Sequence, residues 1–136
     1  MSCRLPFFVE NYFQFMDENI DRFCDDQFKL RELIMKSFEN DDIYVDEEQA
    51  RKYFSLARYL DFETMEWQEF ILGLHLCVYW RKTNLPRWSD LVCYMGRGNG
   101  KDGTISLETM DLISPYNPIR EYDVDICANN ELQAKR

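Results

Sequence analysis

The stretch Leu91-Val92-Cys93-Tyr94-Met95-Gly96-Arg97-Gly98-Asn99-Gly100-Lys101-Asp102-Gly103-Thr104 constrains the chain more than any other. The run Leu91 to Met95 is apolar at successive positions, so both of its faces need cover, which is the pattern of a strand buried in a parallel sheet. Glycines at 96, 98 and 100 then permit backbone conformations and a closeness of approach that side chains forbid, and successive N–H groups can converge on an anion. Lys101 adds a point charge. A helix predicted from about Asp102 to Ile113 aims its unpaired N–H groups and the positive end of its dipole at the same place. The expected order is strand, phosphate-cradling loop, helix start.

Set against the phosphate-binding pattern G-x-x-x-x-G-K-[ST], Gly100-Lys101 fit, while Met95 stands where the first glycine belongs and Asp102 where the hydroxyl belongs. A glycine-rich turn that holds nothing is the plain alternative. Two further features accompany the loop. Arg97 precedes Lys101 by four, giving R-x-x-G-K, and Trp67-Gln68-Glu69-Phe70 lies upstream. Arg-x-x-Gly-Lys preceded by Trp-Gln-x-Phe resembles the large subunit of tailed-phage terminases, the ATPases that drive DNA into empty capsids. The resemblance runs from about Val45 to the C-terminus and takes in Ser114-Pro115-Tyr116-Asn117-Pro118 and Ala128-Asn129-Asn130-Glu131-Leu132-Gln133-Ala134. Before Val45 there is no family motif.

The resemblance implies ATP and Mg²⁺ as cofactors. Lys101 would neutralise charge on the β and γ phosphates, and backbone groups along Gly96, Gly98, Asn99, Gly100, Lys101, Asp102 and Gly103 would wrap them. Arg97 would stabilise transition-state charge or sense the γ-phosphate. Gln68, beside Trp67, would read adenine, a task suited to an amide that offers both a donor and an acceptor. Asp102 could ligate Mg²⁺ in place of the usual hydroxyl, yet it puts negative charge beside the phosphates; Thr104 is the other hydroxyl at hand. The implied partners are the portal, the terminase small subunit and double-stranded DNA, and the implied setting is the cytoplasm of a bacterial host.

Length bears on this expectation. Terminase large subunits join a complete ATPase domain to a nuclease domain, whereas 136 residues hold one modest core. The expected fold is therefore α/β: an acidic helical segment over residues 1–44, then a partial ATPase domain over 45–136 carrying the first βαβ segment of a P-loop NTPase, with an incomplete sheet. Asp123 and Asp125 sit near the start of the second expected strand, 122–128, whereas sites on such sheets lie at the strands' carboxyl ends. The chain alone is not expected to turn over ATP. The alternative is a small acidic helical interaction protein or an inactive prophage remnant.

The net charge of −9 is uneven, with thirteen acids against five bases in residues 1–50. That half should repel DNA phosphates, since affinity for them comes from basic side chains. Five cysteines, Cys3, Cys24, Cys77, Cys93 and Cys127, form no C-x-x-C pair and point to free thiols rather than a disulfide framework or zinc site. The apolar run Phe70–Trp80 is far shorter than a membrane span.

Helical spacing predicts helices over about 7–23 and 26–39, the first on Phe8, Tyr12, Phe15 and Met16, the second on Leu30, Leu33, Ile34 and Phe38, capped by Asp25 or Asp26. Asp46, three before Gln49, is the expected cap of a helix running to about Leu60 with Tyr53, Leu56, Ala57 and Leu60 buried. A further helix is expected over about 66–80, burying Ile71, Leu74, Cys77 and Val78. Residues 81–89 form a polar connector. His75 has no carboxylate or cysteine at triad or ligand spacing and is expected to be a core or edge residue.

Overall fold

The computed structural model describes residues 4–96 and 98–127. The fold is mixed α/β and mostly helical. Its elements are α1 (Phe7–Glu18), α2 (Asp25–Asn40), β1 (Ile43–Val45), α3 (Glu47–Ser55), α4 (Glu66–Leu76), β2 (Val78–Trp80) and α5 (Lys101–Ile113), with 3-10 turns at Ile20–Arg22 and Leu56–Leu60.

Helix α4 lies at the centre because α1 covers one side of it. Phe8, Val9 and Met16 of α1 are fully buried, and the Tyr12 ring stacks on Phe70 with centroids 4.3 Å apart. Phe8 lies over Gly73, where a Cβ would stand 2.5 Å from its ring. The absent side chain is what lets the two helices close. Glu47, at the start of α3, accepts the Phe7 N–H at 3.1 Å and ties the open end of α1 to α3.

The helices expected from apolar spacing form, with displaced ends. Residues 7–23 divide into α1 and a 3-10 turn, α2 begins after Cys24 with the Gln27 side chain accepting the Cys24 N–H, and α3 yields to 3-10 geometry at Leu56. Asp46 caps α3 by accepting the Gln49 N–H at 3.0 Å, as its spacing predicts. The second helix departs from its expected stripe: Ile34 and Phe38 are buried, but Leu30 and Leu33 are exposed. The helix expected over 66–80 stops at Leu76, and Val78–Trp80 pairs antiparallel with Ile43–Val45 in the register Ile43 with Trp80 and Val45 with Val78. Both triplets are β-branched or aromatic, and each supplies the backbone partners that the other needs.

The expected βαβ unit is not formed. Residues 91–96 and 122–127 carry no strand, and the sheet among the described residues is the antiparallel pair β1–β2. A strand exists only where a neighbour supplies hydrogen-bond partners, and no described segment forms a backbone ladder with either run. Val92 is 90% exposed and Tyr94 fully so. Residue 128, the last of the second expected strand, and the tract Ala128–Ala134 fall outside the described residues. Among the described residues no helix is long and apolar enough to cross a membrane.

Gly73→Ala should be costly. The added methyl overlaps the Phe8 ring and must push α1 off α4, and overpacking of this kind costs about 1–3 kcal/mol. Urea melts should show the midpoint falling with little change in slope, and an unchanged midpoint would mean that the α1–α4 approach tolerates a side chain.

Candidate functional site at the start of the last helix

The glycine turn leads into α5 much as the sequence suggests. Gly98 and Gly100 adopt left-handed φ values of 76° and 84°, conformations that favour glycine, and α5 begins at Lys101 with no side chain capping it. Its first N–H groups are thus available to an anion. A Cβ at Gly98 would meet nothing within 4 Å, so the outer face of the turn is open. Lys101 folds back over the turn, with Nζ donating to the Met95 carbonyl at 3.3 Å. Gly96, Asn99 and Asp102 are exposed, and Gly103 packs near the Phe62 ring. Arg97 lies outside the described residues.

Gln68 and Trp67 are brought to this turn from thirty-two residues away. The Gln68 amide is 3% exposed; its Nε2 donates to the Gly100 carbonyl at 3.2 Å and to Thr104 Oγ1 at 3.0 Å, while Oε1 accepts the Met65 N–H at 2.9 Å. Thr104 in turn donates to the Gly100 carbonyl at 2.9 Å, so its hydroxyl faces α4 and not the outer side of the turn. A Cβ at Gly100 would lie 3.6 Å from the Trp67 ring. In this arrangement Gln68 caps α4 and holds the turn, with both ends of its amide engaged. A base could be read by Gln68 only in exchange for one of those bonds.

A small cavity of about 180 Å³ opens beside the turn, between Trp67, Leu91, Cys93, Lys101 and Glu108. It is smaller than the roughly 300 Å³ at which ligand pockets begin, so a nucleotide would lie mainly along the open face of the turn. Burial and the nearby Glu108 carboxylate push the Cys93 thiol up, which makes it no activated nucleophile. Among the described residues no three His, Cys, Asp or Glu side chains gather as a metal site. Asp102, alone and exposed on the first turn of α5, is the available carboxylate there.

His75 has a partner that its sequence neighbourhood does not reveal. Its Nε2 lies 3.0 Å from Glu108 Oε1 on α5, and its Nδ1 lies 2.9 Å from the Trp88 carbonyl. Both neighbours are acceptors, so the doubly protonated ring suits the site, and the Glu108 hydrogen bond, followed by the Trp88 carbonyl, raises the imidazole pKa. Gln68 and His75 stand seven apart on α4, and they grip Gly100, Thr104 and Glu108 at four-residue steps on α5. The two helices therefore run parallel, locked at two levels on one face.

Asp111, one turn beyond Glu108 in α5, is fully buried, and neither carboxylate oxygen has a hydrogen-bond partner among the described residues. Burial, with a smaller contribution from Glu108, pushes its pKa up to about 8. The acid is held neutral because ionisation would leave an unpaired charge in the core.

Both groups make stability fall as pH rises. The unfolded chain releases the Asp111 proton near the ordinary value of 3.8 and the folded chain keeps it to about 8, so between those limits folding loses up to about 1.4 kcal/mol per pH unit. The stabilisation from His75 is complete below its unfolded pKa near 6.5 and is lost as pH rises through the higher folded value. Asp111→Asn should melt close to the parent only below the ordinary carboxyl value of 3.8, and increasingly above it as pH rises towards 8. Parallel pH profiles for parent and variant would mean that Asp111 ionises freely in the fold.

No family model, curated protein or solved structure matches this chain, so its function has to be read from the turn, the lysine and the Trp-Gln pair that meet at the start of α5.

Proposed function

We propose that this chain carries the nucleotide-binding loop of a DNA-packaging ATPase of the terminase large-subunit type. One observation carries the reading: Gln68 hydrogen-bonds to the backbone of Gly100, directly before Lys101, across thirty-two residues. The Gly100-Lys101 end of the R-x-x-G-K loop and the Trp-Gln pair that the resemblance links are thereby neighbours in space. The supporting chemistry is an uncapped helix N-terminus, a lysine in the first turn and left-handed glycines that leave the turn open.

When bound, ATP with Mg²⁺ supplies the phosphoanhydride chemistry that would drive packaging. For this chain's own residues the roles are narrower. Lys101 exchanges the Met95 carbonyl for phosphate oxygens, and the N–H groups from Gly98 to Asp102 orient them. Arg97 would stabilise transition-state charge or sense the γ-phosphate, and Asp102 is the candidate metal carboxylate. Trp67 offers a flat face near Gly100. Hydrolysis also needs carboxylates on a later strand, and Asp123 and Asp125 sit in a tract that forms none. The finer fold belongs to the same proposal: runs 91–95 and 122–128 become the strands of a P-loop βαβ unit when a larger sheet lies beside them. The bare apolar side chains of Val92 and Tyr94 support that reading. DNA, the portal and the small subunit would be partners of the whole motor, with the acidic N-terminal half kept away from DNA.

A second reading, an acidic helical interaction protein, draws its support from Leu30 and Leu33, which lie exposed on α2. Nucleotide-dependent melting separates the two. Mg-ATP should raise the melting temperature more than AMP or sulfate does. Lys101→Ala should erase that rise, since loss of a charge-assisted phosphate contact costs about 1.5–3 kcal/mol. Arg97→Ala should leave ADP binding nearly intact. Asp102→Ser should tighten metal-free nucleotide if the carboxylate merely repels phosphate, and should weaken binding only with Mg²⁺ present if it holds the metal. If the parent and all three variants respond alike to ATP and ADP, the glycine turn is only a turn.

A further inference from the structure

A second cavity, of about 650 Å³, shares Glu108 with the small one and lies between α3, the β1–β2 pair, α5 and the tract after it. Its volume falls within the roughly 300–1,000 Å³ of small-molecule sites. The wall is mixed. Leu85, Pro86, Leu112 and Ile119 supply its apolar part, together with the rings of Tyr44 and Tyr79, stacked with centroids 5.4 Å apart. Asp46, Gln49 and Glu108 supply acceptors. Tyr79 Oη lies 2.9 Å from Gln49 Oε1 and 2.7 Å from the Leu76 carbonyl, two acceptors sharing one hydrogen. Gln49 Nε2 gives one of its two hydrogens to Tyr53 Oη at 2.9 Å.

Acids outnumber bases in the cavity. Asp46, Glu108 and His75 line it, and among the described residues no lysine or arginine does. Among those residues each acid uses one oxygen within the fold, Asp46 for the Gln49 N–H and Glu108 for His75, and the second oxygen of each is open to a ligand or to solvent. The His75 imidazolium balances one of these acids. Helix α4 ends at this wall, adding the negative end of its dipole at Leu76. Behind it Asp111 is buried with both oxygens orphaned, within electrostatic reach of Tyr53 and Glu108.

We infer that this cavity is a binding site for a small organic cation with an apolar body, of the aryl-alkyl ammonium class. The ammonium supplies N–H donors to the carboxylates and to the two acceptors that share the Tyr79 hydrogen, and its charge answers the acids. The aromatic body lies along Tyr44, Tyr79 and Ile119. The site is separate from the phosphate-binding turn and independent of the nucleotide proposal.

Three probes with the same phenyl body and different heads test it: phenethylammonium, phenylethanol and phenylpropionate, titrated by calorimetry and by amide shifts of the ¹⁵N-labelled chain. Phenethylammonium should bind with a Kd on the order of 1 mM and shift Tyr44, Tyr79 and Ile119, with phenylethanol at least about tenfold weaker and phenylpropionate weaker still. Asp46→Asn combined with Glu108→Gln should weaken the ammonium about tenfold or more, as expected from removing two charges that face it. Ile119→Trp, which adds bulk at an exposed lining position, should weaken all three probes. Equal or tighter binding of phenylpropionate overturns the inference, as does the absence of saturation up to about ten times the expected Kd. If the double variant loses its native spectrum, Ile119→Trp decides alone, and an unchanged Kd in that variant rejects the site.

Discussion

The structure depends on the burial of α4. Gly73 lets α1 lie against it so closely that Phe8 occupies the space of a side chain, and Tyr12 stacks on Phe70 within the same contact. Once that side is covered, the opposite side of the helix is the place where α5 can dock. The docking is polar at two levels: the Gln68 amide meets Gly100 and Thr104 near the start of α5, and His75 meets Glu108 two turns on. An apolar contact alone would let one helix slide on the other by a turn. Buried polar groups resist that because every wrong register leaves one of them without a partner.

The same two locks set the chemistry of the site. Gln68 holds the glycine turn by its last carbonyl, which puts the first N–H groups and Lys101 of α5 on a defined footing. That benefits an anion site, since donors fixed beforehand need no reordering when the anion arrives. It also occupies the amide that the resemblance assigns to adenine. Holding the loop and reading the base therefore compete for one side chain, and the Gln68–Gly100 bond is where nucleotide binding would be coupled to the seating of α5.

The acids of the fold divide by environment. Those on the surface of α2 and α3 are solvated, and pairs such as Lys52 with Glu48 add little. Glu108 is matched by the only histidine. Asp111 has no hydrogen-bond partner among the described residues, and burial favours its neutral form. Asp111 and Glu108 stand three apart in α5, so a paired and an unpaired carboxyl share one stretch of helix beside the cavity that Tyr53, Tyr79 and Gln49 help to line.

Local patterning determined what local forces can determine. Apolar residues three and four apart marked α1 to α4, since a helix makes its hydrogen bonds within itself and needs only one covered face. The Asp46 cap and the glycines before Lys101 were legible for the same reason: capping and positive φ are properties of a few adjacent residues. Leu91–Met95 carries no strand, because an apolar run is only potentially a strand until another segment pairs with it. The break of the expected 66–80 helix into α4 and β2 was hidden likewise, since Val78–Trp80 becomes a strand by pairing with Ile43–Val45, more than thirty residues earlier. Glu108 beside His75, the orphaned Asp111 and the larger cavity exist only once α5 is seated on α4. Their chemistry comes from distances between residues far apart in sequence, and the tertiary structure alone sets those distances.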